Sequence, residues 1–404
     1  MTRLPQVTPA QALALTRTLV LPAVAQGAVV RRPLAVRVAT LADAEGRAIR
    51  LLARLRAEYG DGPLLARVPG RGWAMLPLAS RDVRTVLEDR AFTPAAREKR
   101  GALGHFEPDA VLVTMDPGLR ERRRALNEEV LRAGVDPYVR VVAEEAATLP
   151  RDGVLTWAQW HAVQWRITRR IVLGDAARDD VAMTALLDRL RRDANWAGVR
   201  GRRTDVYHAF RRRLAAHLAR AEPGSLAAVL ARTATEPDVH ADGQAPHWLF
   251  AFDAAGMAGY RALALLAARP GPRDPEHLRA AVLESVRLWP TTIAILRDVA
   301  GPTKWNLPEG TLVIIYSPYV NRAEPGDSYR PELWLGRRGE WAGVPFSSGF
   351  ARCPGEDLVV FTTAALLGEI LRERSVRPSV SLADPLPATF DHFRLRFAVK
   401  PAER

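Results

Sequence analysis

The chain of 404 residues holds a single cysteine, Cys353. A lone cysteine cannot form an internal disulfide, and it excludes the zinc sites that are built from several thiolates. Nothing points to an oxidising compartment, and the N-terminus lacks the apolar core and small-residue cleavage site of a signal peptide. A cytoplasmic location is expected. Lysine is almost as scarce: of 58 Lys plus Arg, only Lys99, Lys304 and Lys400 are lysine. That bias, with 28 Gly, 30 Pro and abundant alanine, fits a GC-rich coding sequence better than a selected nucleic-acid surface. No basic block is interleaved with aromatics, so no nucleic-acid partner is expected, whereas a net charge of +13 suits an acidic protein partner.

Uninterrupted apolar runs are missing too. The stretch 19–30 is broken by Pro22, bounded by Arg17, Arg31 and Arg32, and too short to span a bilayer. It reads as a surface or interfacial segment. Residues 247–268 are apolar and helical in pattern but carry Asp253 and Arg261, which argues for a buried central helix and against a transmembrane anchor.

With 48% hydrophobic and 25% charged residues, a large core is available and wholesale disorder is excluded. Leucines at 51, 52 and 55, followed by Gly60, predict a helix over 41–59. Residues 63–68 and 73–78 flank Pro69-Gly70-Arg71-Gly72 as a β-hairpin, and Ser80 is a candidate N-cap for the next helix. Helical patterns dominate 116–289. Short strands follow, notably 311–316, and a last helix is expected over 354–372. No repeat or long linker is visible. The expected architecture is mainly α with small β-sheets: a surface segment, 1–40, and one large domain, 41–404.

Cys353 lies in Phe346-Ser347-Ser348-Gly349-Phe350-Ala351-Arg352-Cys353-Pro354-Gly355-Glu356-Asp357. The ordinary fate of a lone cysteine is burial as a small hydrophobe. Here Pro354 suits a first helical position, and Glu356 and Asp357 suit a first turn. Cys353 is therefore expected at a helix N-terminus, where free N–H groups favour a thiolate. Gly349 and Gly355 let backbone approach a bulky planar group, and Phe346 can cover the sulfur. A nucleophilic thiol would need a nearby histidine, and none is present in the loop.

This Phe-x-x-Gly-x-x-x-Cys-x-Gly pattern resembles the cysteine loop of the cytochrome P450 family. The resemblance implies that Cys353 is the proximal thiolate of haem b, pushing electron density onto the iron. Glu284 and Arg287, sharing a helix face that Pro290 follows, resemble the family's Glu-x-x-Arg pair, buried beneath the haem; Arg330 is the candidate third member of that network. Arg120 and Arg124, one turn apart, resemble the pair that grips haem propionates, and Arg297 matches a further propionate arginine. The likeness extends from the helix over 41–59 to the C-terminus, and chain length resembles the bacterial members without membrane anchors. Those members take electrons from NAD(P)H through a reductase and an acidic ferredoxin.

The central helix departs from the family. Ala255-Gly256-Met257-Ala258-Gly259-Tyr260 aligns with Ala-Gly-x-acid-Thr, so the acid position is Ala258 and the alcohol position is Gly259. Each helical glycine costs about 1 kcal/mol, which a close ligand approach would explain. With the proton-delivering pair missing, the expected activity is a monooxygenase using O2 on a hydrophobic small molecule, with protons relayed by water or substrate. Asp253 and Tyr260 are the alternative proton donors. The competing readings are a peroxide-using or non-oxygenating haem-thiolate enzyme, or a haem-binding sensor or carrier without catalysis. By analogy the substrate wall takes in Phe106, Val113, Asp253 and Met257. It continues through the strand at Thr291, Thr292, Ile293 and Ile295, and through Leu386 in the turn 386–389.

Overall fold

The computed structural model describes residues 4–68, 70–132, 134–336 and 341–402; Pro69, at the expected hairpin tip, lies outside them. The molecule is organised around one helix, Ala245–Ala268, whose sequence is apolar on nearly every side. It is packed by the helices Trp157–Leu173, Pro275–Leu288 and Glu356–Glu373. Its two glycines permit that packing. A Cβ on Gly256 would stand 2.8 Å from Gln164 Cγ, and one on Gly259 would stand 2.7 Å from Thr363 Cγ2 and 3.0 Å from Trp160 Cζ2. Close helix approach, not a ligand, accounts for both. The Trp160 indole donates to Gly256 O at 2.8 Å, and Ser285 Oγ donates to Ala258 O at 2.9 Å, fastening the helix on two sides.

Residues 269–274 form no helix and lead directly into Pro275–Leu288. Asp274 caps that helix by accepting from the N–H groups of Glu276 and His277, and Pro275 sits where no N–H is needed. Two small sheets flank the helices. The first has the order β1(Leu64–Val68)-β2(Gly72–Leu76)-β6(Leu312–Tyr316)-β5(Ala294–Val299)-β3(Phe92–Thr93). The second has the order β4(Gly153–Thr156)-β8(Arg396–Pro401)-β7(Arg374–Pro378). Strands β1 and β2 form the expected hairpin, Leu64 facing Leu76. In β5 alternate residues point inward, so Arg297 enters the interior between Ile295 and Val299.

A second core lies under the first sheet, and the N-terminal segment takes part in it. Leu15 and Leu19 pack there with Leu52, Leu55, Val313 and Ile315. The segment is helical over Pro9–Leu15, Thr16–Val20, Leu21–Gln26 and Pro33–Leu41. Two local expectations shift. Ser80 is the first residue of Ser80–Glu88, capped by Ala79 without a side-chain bond. The last helix begins at Glu356, so Pro354 belongs to the preceding turn.

Glu284 and Arg287 are both fully buried. Arg287 grips the carboxylate with Nη2 at 2.5 Å and Nε at 2.7 Å, and donates further to the carbonyls of Asn321, Gly326 and Ser328. Glu284 also accepts from the Trp334 indole at 2.9 Å and from the backbone N–H of Arg330 at 2.7 Å. Arg330 thus joins through its main chain, while its guanidinium Nε donates to Glu332. Removing one partner of such a pair strands a buried charge. Arg287→Ala is expected to lower stability by about 3–5 kcal/mol, read from urea unfolding midpoints, and Arg287→Lys to recover only part of it. A loss below about 1 kcal/mol, the scale of an exposed pair, would show that the pair holds nothing in place.

Candidate active site

The loop carrying Cys353 folds back on itself. The backbone N–H of Cys353 donates to Phe346 O at 3.0 Å, Ser347 N to Val344 O, and Arg352 N to Gly349 O. Gly349 has φ +64°, and a Cβ there would fall 2.2 Å from Leu87 O, so this glycine seats the loop on the end of Ser80–Glu88. A Cβ on Gly355 would meet only Leu131 Cδ1, at an ordinary 3.6 Å. Phe346 is half-buried against the main core.

Cys353 is half-buried. Burial pushes its thiol up to about 11; the N–H of Gly355 and the charges of Arg124 and Arg352 pull the other way and do not prevail. Because the helix starts three residues later, its N-terminus does not activate the sulfur as expected. A thiolate here needs a bound cation, which a metal ion on the sulfur supplies.

Beside the loop, Arg120 and Arg297 are buried and Lys99 is half-buried. Arg297 donates to Leu296 O at 3.1 Å and Ser347 Oγ at 3.3 Å, and its Nε has no partner. Arg120 donates to Thr93 Oγ1 at 3.1 Å, its guanidinium 5.7 Å from the Phe350 ring. Burial and the charge of Arg120 lower Arg297 to about 10. Lys99 is pushed well below its ordinary value by burial and by Arg297, which Asp298 only partly offsets. Asp298 is engaged by Arg71 and by the N–H of Arg97. Among the described residues no carboxylate pairs with Arg120, Arg297 or Lys99. Such a cluster is costly unless an anion enters it. A planar group carrying two carboxylates and a thiolate-seeking iron fits this donor set, as haem does. Arg124 is committed elsewhere, to Arg352 O at 2.8 Å and to Glu128 at 2.7 Å.

On the central helix, Phe252, Gly256 and Gly259 face the packed helices, while Phe250, Ala251, Ala254 and Met257 on the other side are only half-buried. Gly259 is thus turned away from the half-buried face, and a hydroxyl there would meet Thr363. Ala258 is buried, its carbonyl taken by Ser285. The acid beside the half-buried face is Asp253. Its carboxylate stands 2.7 Å from Arg191 Nη2 and 2.8 Å from His161 Nε2. Burial disfavours its charge, but Arg191 and His161 outweigh burial and hold it well below the carboxylate range. Tyr260 is a structural tie. Its hydroxyl donates to the carbonyls of Leu395 (2.9 Å) and Leu155 (3.2 Å), and burial pushes the phenol up.

Of the expected substrate wall, Phe106 is buried with its ring edge-on to Phe250 at 5.9 Å, and Val113 ends the short turn Val111–Val113. Ile295 points inward, Thr292 is exposed, and the carbonyls of Thr291 and Ile293 accept from Arg31 and Ser317 N. Leu386 packs in the main core. Sequence reasoning missed Lys99, Thr93, His161, Arg191 and the pair Glu107–His247, 2.9 Å apart, in which fully buried Glu107 keeps Oε1 unpartnered. The one available signal was that Lys99 is among three lysines; the others become partners only in three dimensions.

No family model matches the chain. Cyclooctat-9-en-7-ol 5-monooxygenase of Streptomyces melanosporofaciens is 30% identical over 115 residues, 26% of this chain and 25% of that protein. Mitochondrial cytochrome P450 11B1 of Ovis aries is 33% identical over 105 residues, 24% of this chain and 21% of that protein. The chain thus spans about a quarter of the length of the curated relatives it matches. Among solved structures, CYP108D1 of Novosphingobium aromaticivorans superposes with TM-score 0.69 at 16% identity, covering 99% of this chain and 100% of that one. The cyanobacterial CYP120A1 with retinoic acid bound gives TM-score 0.66 at 13% identity, covering 87% and 94%. With its cysteine loop and buried Glu284–Arg287 pair, the chain has the cytochrome P450 fold, and its relatives in sequence are cytochromes P450 and monooxygenases.

Proposed function

We propose that the chain is a haem-thiolate monooxygenase that inserts oxygen into a hydrophobic small molecule. The observation carrying this reading is the pair of buried arginines without a carboxylate partner, Arg297 and Arg120, with half-buried Lys99, beside the loop that presents the only cysteine. Haem b, when bound through Cys353, supplies a reducible iron at which O2 is activated. Arg297, through its free Nε, would hold the propionates with Arg120 and Lys99, and Arg124 would keep the cysteine loop in place through Arg352 O. Phe106, Phe250 and Ile295, with half-buried Met257, offer apolar walls.

Proton supply is assigned to Asp253. It keeps its charge, flanks the half-buried face, and touches His161, which is one-third exposed and therefore in reach of solvent protons. Asp253, kept ionised by Arg191 and His161, would support proton supply by orienting His161 Nε2 along their 2.8 Å contact. His247, Phe250, Ala251, Ala254, Met257 and Ala258 carry no hydroxyl, so the last step falls to water or to a substrate hydroxyl. That lack of an alcohol also favours a second reading, peroxide use. Electrons would come from NAD(P)H through a reductase and an acidic ferredoxin. The exposed Arg352, Arg90 and Arg279 near the cysteine loop are paired with Glu356, Glu121 and Asp357, so an acidic partner is argued from the net charge of +13.

The reduced CO complex is expected to show the red-shifted Soret band of a thiolate-ligated haem, lost in Cys353→Ser; a haem-free or histidine-ligated protein would sink this reading. Arg297→Met is expected to weaken haem binding by about 1.5–3 kcal/mol, roughly ten- to a hundredfold faster transfer of haem to apomyoglobin. Arg297→Lys should restore part of this. Asp253→Asn is expected to cut O2-driven turnover with ferredoxin and reductase by about 10²–10⁴-fold while peroxide-driven turnover survives. Equal effects on both routes would remove Asp253 from proton supply. A wild type active only with peroxide would install the second reading.

A further inference from the structure

We propose that Glu107, oriented by His247, is a binding site for a hydroxyl group, so that the molecule this chain takes is an apolar alcohol held through its O–H; this rests on the monooxygenase reading above. Glu107 lies in the turn that follows the helix Arg97–Leu103, its N–H donating to Leu103 O at 2.8 Å. The side chain is fully buried and has one partner. Its Oε2 meets His247 Nδ1 at 2.9 Å, and Oε1 meets no donor among the described residues. A buried carboxylate oxygen without a donor is costly. Other buried glutamates of this chain avoid that cost: Glu284 accepts from a guanidinium, an indole and a backbone N–H, and Glu145 holds three arginines. Glu107 alone of the three keeps an oxygen free.

The free oxygen stands at the end of an apolar wall. His247 is on the half-buried side of the central helix, one turn before Phe250 and Ala251 and two before Ala254. Its ring centre is 5.7 Å from that of Phe250, and Phe250 meets Phe106 edge-on at 5.9 Å. Phe106 immediately precedes Glu107 in the chain. One polar group beside apolar surface is what fixes the orientation of a small ligand. Charge selects the class. Burial disfavours an imidazolium at His247, but the charge and hydrogen bond of Glu107 outweigh burial and raise the histidine above its ordinary value. With His247 protonated the pair is neutral overall, so it does not draw in a cationic amine, and a carboxylate would meet Oε1 oxygen to oxygen. A neutral O–H donates to Oε1 without adding charge, and bonds to an ionised acceptor are the stronger ones. An ether or hydrocarbon of the same shape leaves that oxygen unsatisfied and is rejected for it.

Calorimetric titration of the full chain with cyclohexanol, 1-adamantanol and 1-decanol, each against its methyl ether, is the test, because the ether keeps the oxygen and loses the donor. At least one alcohol should bind about ten- to a hundredfold tighter than its ether. Glu107→Leu should abolish that preference by weakening the alcohol alone. Glu107→Gln keeps the shape and an acceptor, so it should fold where the leucine variant does not and retain only part of the preference. If the pair merely ties the turn to the central helix, both variants lower the unfolding midpoint and leave the ratio of alcohol to ether unchanged, which overturns the proposal. So does a wild type that binds none of the alcohols or prefers none of them to its ether. The two readings fail separately. A thiolate Soret band without alcohol preference removes this site and leaves the monooxygenase, whereas alcohol preference in a protein without that band removes the monooxygenase and leaves the site.

Discussion

The buried ion pair Glu284–Arg287 is the fixed point from which the candidate site is built. Two fully buried charges persist because each is satisfied several times over: the carboxylate by the guanidinium, an indole and a backbone N–H, the guanidinium by three carbonyls besides. The constraint propagates along the chain. Arg287 holds Asn321 O, and Asn321 returns its amide to Arg287 O while its Oδ1 accepts from Val344 N at 2.8 Å. Gly343 has no Cβ because one would fall 2.4 Å from Asn321 Oδ1. Three residues beyond Val344... the loop is closed by Ser347 N on Val344 O and Cys353 N on Phe346 O. The position of the sulfur is therefore inherited, bond by bond, from a pair that never touches it.

The cluster of Arg120, Arg297 and Lys99 obeys the opposite logic. Among the described residues no carboxylate forms an ion pair with it, and Arg120 disfavours the charge of Arg297 as Arg297 disfavours that of Lys99. Ion pairs elsewhere show that this chain has no shortage of acids to place: Glu145 alone, fully buried, holds Arg166, Arg170 and Arg178. Arg261 and Arg169 are also buried without a carboxylate, but backbone carbonyls take their guanidinium groups, whereas Arg297 and Arg120 lie next to each other beside the cysteine loop.

What the sequence made legible was local. The cysteine loop and the Glu-x-x-Arg turn are contiguous motifs whose backbone requirements are written in Pro, Gly and helical spacing. The glycines of the central helix were visible as anomalies, but helix periodicity alone does not say which neighbour approaches; Gln164, Thr363 and Trp160 come from two other helices. Asp253 was visible as a charge in an apolar run. Its partners Arg191 and His161 lie 62 and 92 residues away in sequence and meet it only in three dimensions. The N-terminal segment read as surface because its leucines are mixed with Pro and Arg. The structure divides those leucines, sending Leu15 and Leu19 inward and leaving Leu21, Leu34 and Leu41 outside.

Asp253 and Arg297 show why burial by itself decides nothing about charge. Both are enclosed, and for both enclosure opposes the ionised form. Asp253 meets two cationic or protonatable partners and keeps its charge on the protein's own resources, so its state is set before any ligand arrives. Arg297 meets a hydroxyl, a carbonyl and another cation, so its charge is tolerated only because the rest of the fold is stable enough to carry the cost. Binding of a dianion reverses that balance at Arg297 and leaves Asp253 untouched. Asp253 sits on the central helix and Arg297 on β5, so the charge of each is set by neighbours that the other does not share.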